Sequence, residues 1–103
     1  MYYTYMLRCS DNSIYTGITT NLEKRMGEHF NKLETGAKYT HSHTAIKLEI
    51  AWKSENKSLS SKLEYHIKHY LTKAEKEKLI LYKNLENFSK NKLDTSQYSL
   101  IHL

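Results

Sequence analysis

The chain of 103 residues has no proline, one cysteine, three glycines and one tryptophan. With Cys9 as its only thiol it can form neither an internal disulfide nor a cysteine-based zinc site, because structural zinc takes several Cys or His ligands at tight spacing. Zinc fingers and zinc ribbons are excluded. No segment approaches the roughly 18 apolar residues needed to cross a bilayer. The first residues also lack the basic region, apolar run and small-residue cleavage site of a secretory signal. A soluble, cytoplasmic protein is therefore expected. No repeat, low-complexity tract or linker interrupts the chain, and its length with 39% hydrophobic content suits one compact domain with a modest core.

What the chain does have is tyrosine and positive charge. Sixteen Lys+Arg against eleven Asp+Glu give +5 at pH 7. A basic surface of this kind favours a polyanionic partner through phosphate neutralisation and counterion release, although a solvated lysine-rich surface has the same composition. Three of the nine tyrosines stand in two tripeptides, Tyr3-Thr4-Tyr5 and Tyr15-Thr16-Gly17. Both lie in stretches rich in aromatic and β-branched residues, separated by the turn formers Ser10-Asp11-Asn12-Ser13, and read together as a β-hairpin. Its register decides what the tyrosines can do. A two- or four-residue loop puts Tyr5 and Tyr15 on opposite faces, whereas a three-residue Asp11-Asn12-Ser13 loop or one β-bulge puts them on the same face.

Thr20-Asn21-Leu22-Glu23 has the form of a capping box and opens a helix over about 21–33. Leu22, Met26, Phe30 and Leu33 make its buried stripe, with Arg25 and His29 together along one edge. Gly27 is expected to permit close packing. Residues 34–45 show no sustained period and read as a long surface loop. In that loop His41-Ser42-His43 offers two imidazoles without an evident third metal ligand. Ile46, Leu48, Ile50 and Trp52 then alternate with Lys47, Glu49, Ala51 and Lys53, a strand over about 46–53 with one buried face. A second helix over about 58–71 packs through Leu59, Leu63, Ile67, Tyr70 and Leu71 and places Glu64 at the border of the core, although Ser61-Lys62-Leu63-Glu64 also reads as a capping box. Thr72-Lys73-Ala74-Glu75 is another such box and starts a third helix over about 73–83. The expected fold is α+β: a small three-stranded, mainly antiparallel sheet flanked by three helices. The main domain spans residues 1–83, and residues 84–103 form an extension packed on it or trailing from it.

Tyr3-Thr4-Tyr5, Tyr15-Thr16-Gly17, Arg25, His29 and Glu64, in this order and at these intervals, resemble the GIY-YIG endonuclease domain, and the likeness runs from Tyr3 to about Ile80. Ala37-Lys38-Tyr39-Thr40 and Lys62-Leu63-Glu64 resemble its small stand-alone branch. The chain departs from the family at Tyr3, where a glycine is usual, in the threonines at both tripeptide centres, and at Ala45, where related sequences often have proline. The resemblance implies a metal-dependent endonuclease acting on single-stranded, nicked or branched DNA, of use in repair or recombination, with RNA as a further possible substrate. It implies catalytic roles for Tyr5, Tyr15, Arg25, His29 and Glu64. Gly17, Lys38 and Tyr39 would contact substrate, and Glu64 would hold one divalent cation, Mg²⁺ or Mn²⁺. A monomer is expected, with a homodimer as the alternative, and a separate protein partner could direct it to substrate. Two other readings of the same residues are a non-catalytic nucleic-acid-binding module and a protein-interaction domain.

Overall fold

The structure, a computed structural model, describes residues 1–31 and 43–103. Four strands form one antiparallel sheet in the order β2-β1-β3-β4, with β1 over Tyr2–Cys9, β2 over Ile14–Thr19, β3 over Ala45–Ser54 and β4 over Ser99–Leu100. Among the described residues three α-helices accompany it: α1 over Leu22–Phe30, α2 over Lys57–Tyr70 and α3 over Lys73–Tyr82. The α+β architecture matches the expectation, with β4 as an additional short strand. That strand is only two residues long, too short for any alternation to announce it.

The hairpin closes through Ser10, Asp11 and Asn12. Cys9 and Ser13 make the last backbone bond at 2.9 Å, and Asn12 takes the left-handed conformation at φ 67°. This three-residue turn ending in a left-handed residue is a common hairpin connection, and asparagine tolerates the position. It starts one residue earlier than Asp11-Asn12-Ser13 but keeps the same parity. Tyr5 pairs with Gly17 and Leu7 with Tyr15, so Tyr5 and Tyr15 share a face.

The two faces of the sheet pack differently. Tyr5, Leu7 and Ala51 face α1 and gather with Met26 and Ala45, with Tyr15, Leu22 and Leu48 beside them. Met6, Ile50 and Trp52 on the other face meet Leu63, Ile67, Leu71 and Leu79 of α2 and α3, and Leu85 and Leu93 complete this larger core. Residues 84–103 therefore return to the sheet: β4 pairs with β3, and the Tyr98 hydroxyl donates to the Leu59 carbonyl at 2.7 Å.

Local structure corrects the sequence reading at several points. The α1 helix is capped by Asn21, whose side chain accepts from the Lys24 amide, and not by a Thr20 box. Phe30 is 40% exposed, whereas His29 is fully buried. With 100° per residue, His29 falls about 40° from the centre of the Leu22–Met26 stripe and Phe30 about 60° from it, at the margin. Among the described residues nothing lies within 4 Å of a Cβ built at Gly27, so none of them packs closely on this glycine. Asn56 caps α2, which puts Ser61 inside the helix and removes the capping-box reading of Ser61 and Glu64. The Thr72–Glu75 box forms in full. β3 has no single buried face. Register shifts opposite Met6/Leu7 and Arg8/Cys9 turn Leu48 toward α1 and Ile50 and Trp52 toward α2, leaving Ile46 57% exposed.

Candidate active site

The candidate residues of β1, β2 and α1 gather on the α1 face of the sheet, and Glu64 comes from α2, which packs against β1 and β2. Tyr5 is fully buried on the central strand, and its hydroxyl lies 2.8 Å from His29 Nε2. The three rings form a triangle: centroids are 6.2 Å apart for Tyr5 and Tyr15, 5.6 Å for Tyr5 and His29, and 5.4 Å for Tyr15 and His29. Tyr15 is half-buried, so it carries the cluster toward solvent.

Gly17 makes this arrangement possible. A Cβ there would stand 2.6 Å from the Tyr5 hydroxyl oxygen, 2.8 Å from Tyr5 Cζ and 2.9 Å from Tyr15 Cε2. Its φ is not positive and it sits in regular pairing, so it marks no bulge. Its missing side chain is the space in which the Tyr5 hydroxyl lies.

Electrostatics hold the Tyr5–His29 pair neutral. Burial pushes the Tyr5 hydroxyl above its ordinary range, with Tyr15 and Glu64 adding to the rise, while the neighbouring Arg25 guanidinium pulls the other way. Burial also holds the His29 imidazole down at about 4, helped by Arg25 and opposed by Glu28. At neutral pH a phenol therefore faces an uncharged imidazole, and one proton lies along a short Oη–Nε2 contact. Arg25 donates to Glu28 at 2.9 Å, and that carboxylate fixes one side of its fork.

Glu64 approaches from α2. Its carboxylate accepts from Lys68 at 3.4 Å, and the same ammonium lies 5.7 Å from the centroid of the Tyr15 ring. A chain of contacts thus links the carboxylate to the tyrosines around the sheet edge. Among the described residues no group of three or more His, Cys, Asp or Glu could hold a metal ion. A lone carboxylate suits a hard cation that keeps most of its waters and takes phosphate oxygens, as Mg²⁺ and Mn²⁺ do, and does not suit zinc. Glu64 thus fits such a cation. Leu33, Lys38, Tyr39 and His41 lie outside the described residues. His43 is described, and its Nδ1 meets Asp11 at 2.6 Å.

Several positioning residues escaped the sequence reading. Ser60 is completely buried in α2; its carbonyl accepts from Thr4 at 3.0 Å and its hydroxyl meets that of Ser54 at 2.6 Å. These bonds pin α2 to β1 and β3 one turn before Glu64. The visible signal was a serine inside the Leu63–Ile67 stripe, a position that burial permits only with partners. Lys68 and Glu28 carried no such signal, since each reads alone as a solvated helix residue.

A family model described as the GIY-YIG catalytic domain matches residues 1–95. Relatives include a UPF0213 protein of Fusobacterium nucleatum, 42% identical over 97 residues, covering 89% of this chain and 94% of the relative. A UPF0213 protein of Clostridium perfringens is 45% identical over 92 residues, covering 87% and 96%. Among solved structures, the solution NMR structure of the UPF0213 protein BH0048 from Bacillus halodurans is 35% identical at a TM-score of 0.51, covering 91% of this chain and all of that one. No helix among the described residues is long and apolar enough to cross a membrane.

Proposed function

Because this chain belongs to the GIY-YIG catalytic domain family, a family of nucleases, we propose that it is a metal-dependent endonuclease that hydrolyses phosphodiester bonds in DNA. Single-stranded, nicked or branched DNA of the kind met in repair and recombination is the proposed substrate. The observation that carries this reading is the buried Tyr5–His29 contact at 2.8 Å, set beside Arg25 and Tyr15 at an edge that Glu64 reaches from another helix.

In this reading the scissile phosphate docks against Arg25, whose planar fork offers two parallel donors to phosphate oxygens. Tyr5 takes a proton from the attacking water. Neutral Tyr5 can do so only by giving up its own proton, and His29 Nε2, uncharged and 2.8 Å away, is the acceptor at hand. The water proton moves to Tyr5 Oη as the phenol proton moves to His29. Burial opposes the resulting imidazolium, and the negative charge gathering on the phosphate favours it. Tyr15, at the open side, orients water and phosphate. Glu64 would hold the divalent cation, which when bound supplies positive charge to the phosphoryl oxygens and lowers the pKa of coordinated water. Lys68 keeps the Glu64 carboxylate facing the tyrosines.

The test is cleavage of labelled single-stranded and branched DNA, and of RNA, with Mg²⁺ or Mn²⁺. Wild type should cut, and Glu64→Ala should lose activity by about 10²–10³-fold, the usual cost of removing one transition-state stabiliser. Equal cutting by both proteins would trace the activity to a contaminant. Salt-sensitive binding without any cleavage would instead make the chain a binding module.

A further inference from the structure

A cleft of about 460 Å³ opens beside the tyrosine cluster, between the start of α1 and the start of α2. Arg25 belongs to both sites. Around it the cleft is lined by Lys24 from α1, Lys57 from the first turn of α2, Asn21, Tyr2 and Glu28. Its charged lining is three cations against one carboxylate, and that carboxylate is already bonded to Arg25. Lys24 and Lys57 are exposed and have no carboxylate partner among the described residues, whereas Lys47, Lys68, Lys73 and Lys90 each pair with a glutamate. Asn21 commits its side-chain oxygen to the Lys24 amide, which leaves its NH₂ group as a further donor.

Position along α2 relates the cleft to the chemistry. Lys57 and Glu64 are seven residues apart, two helical turns, so they share a face and lie about 10 Å apart along the axis. Two lysines from separate elements thus line one cleft with Arg25, and Glu64 lies two turns along α2 from Lys57. Charge without counter-charge, in a concave site continuous with the phosphate-binding arginine, suits an extended phosphodiester backbone.

We propose that this cleft holds a phosphate of the same DNA strand next to the one hydrolysed, with Lys24 and Lys57 as its ligands. The proposal rests on the nuclease reading of the adjoining site. It makes the two lysines substrate-positioning residues that set which way the strand enters, independent of its sequence.

The measurement is binding of a labelled single-stranded oligodeoxynucleotide in EDTA, so that no cleavage intervenes, over salt from about 50 to 200 mM. Lys24→Gln/Lys57→Gln should lower the magnitude of the log–log salt slope by about 1.4, or ~0.7 for each single-strand phosphate charge no longer neutralised. Lys24→Arg/Lys57→Arg should keep the slope. The charge-matched pair Lys78→Gln/Lys83→Gln, on α3 and its C-cap, should leave it unchanged. All these side chains are exposed, and each variant should melt with wild type. Equal loss of slope in the two glutamine pairs, with binding and cleavage otherwise intact, would overturn the cleft assignment alone. No binding by the unsubstituted protein at any salt would overturn the nuclease reading and the cleft together.

Discussion

One face of the sheet holds the chain together, and the other holds the candidate chemistry apart from Glu64, which α2 contributes. The face toward α2 and α3 carries Met6, Ile50 and Trp52 against apolar partners, and its buried hydroxyls at Thr4, Ser54 and Ser60 bond one another or backbone. The face toward α1 is smaller and buries a phenol against an imidazole. Desolvating two titratable groups costs stability that an apolar pair would not. The larger face tolerates that cost because most of the apolar burial lies there. A small domain can thus keep a buried polar site by separating it from the packing that folds it.

The sharpest way to break this division is to cut each face where the other should not feel it. Tyr5→Phe removes one oxygen and should lower cleavage per folded molecule by about 10²–10³-fold, with about 1–3 kcal/mol of stability lost as His29 Nε2 loses its partner. Leu79→Ala, in a fully buried position of α3 away from the site, should cost about 2–5 kcal/mol in denaturant unfolding. Its cleavage per folded molecule should stay at the wild-type level. If Leu79→Ala instead lowered turnover of the folded protein as much as Tyr5→Phe, the two faces would be one mechanical unit and the comparison would fail.

Much of the division is legible in the sequence. Two tyrosine tripeptides around a turn define a hairpin, and its use as one wall of a site demands an odd loop. Asn12 meets that demand because asparagine accepts a left-handed backbone. Register itself was not legible, since parity hangs on one residue in a run of four turn formers. The strand over 45–54 was legible in type but not in facing, because its register shifts arise from pairing with β1, which no local pattern records. Phe30 and His29 were exchanged for a similar reason. Hydropathy alone places phenylalanine inside and histidine at the edge, and the phenol of Tyr5, distant in sequence, helps offset the burial of His29. Glu64 was found by its interval in the sequence, yet its environment depends on Ser60 and Lys68, whose meaning is tertiary.

Gly17 is where the two tripeptides depend on each other most directly, and Gly17→Ala sharpens the comparison within the α1 face. The added Cβ would meet the Tyr5 hydroxyl oxygen at 2.6 Å and its ring carbon Cζ at 2.8 Å, and Tyr5 is fully buried in the core. Overpacking of this kind costs about 1–3 kcal/mol. A displacement of about 1 Å in a reacting group costs about 10²-fold in rate. The rate loss, about 2.7 kcal/mol on the same scale, should therefore be comparable with the stability loss. Gly27→Ala, with open space at the same distance, is the control and should stabilise α1 by up to about 1 kcal/mol without touching the rate. A Gly17→Ala enzyme of normal rate would show that the Tyr5 hydroxyl does not need its present place.

The last expected effect concerns His29 and pH. Its imidazole is held at about 4 in the folded chain, against 6.5 for the free side chain. The folded state therefore binds fewer protons than the unfolded one between those values. Stability due to this group is full above pH 6.5 and is lost as pH falls toward 4, with a total of about 3 kcal/mol. Arg25 on its own helix depresses the titration, Glu28 opposes it, and Tyr5 from β1 supplies the hydrogen bond. Carboxylates elsewhere, Asp11 among them at about 2, add their own acid dependence. The quantity to measure is thus the difference between wild type and His29→Gln in urea unfolding at several pH values from about 4 to about 7.5. Wild type should lose stability relative to the variant as pH falls through that window. Parallel curves would mean that His29 is not held neutral by burial, and the α1 face would then lose the physical basis for using it as the proton acceptor.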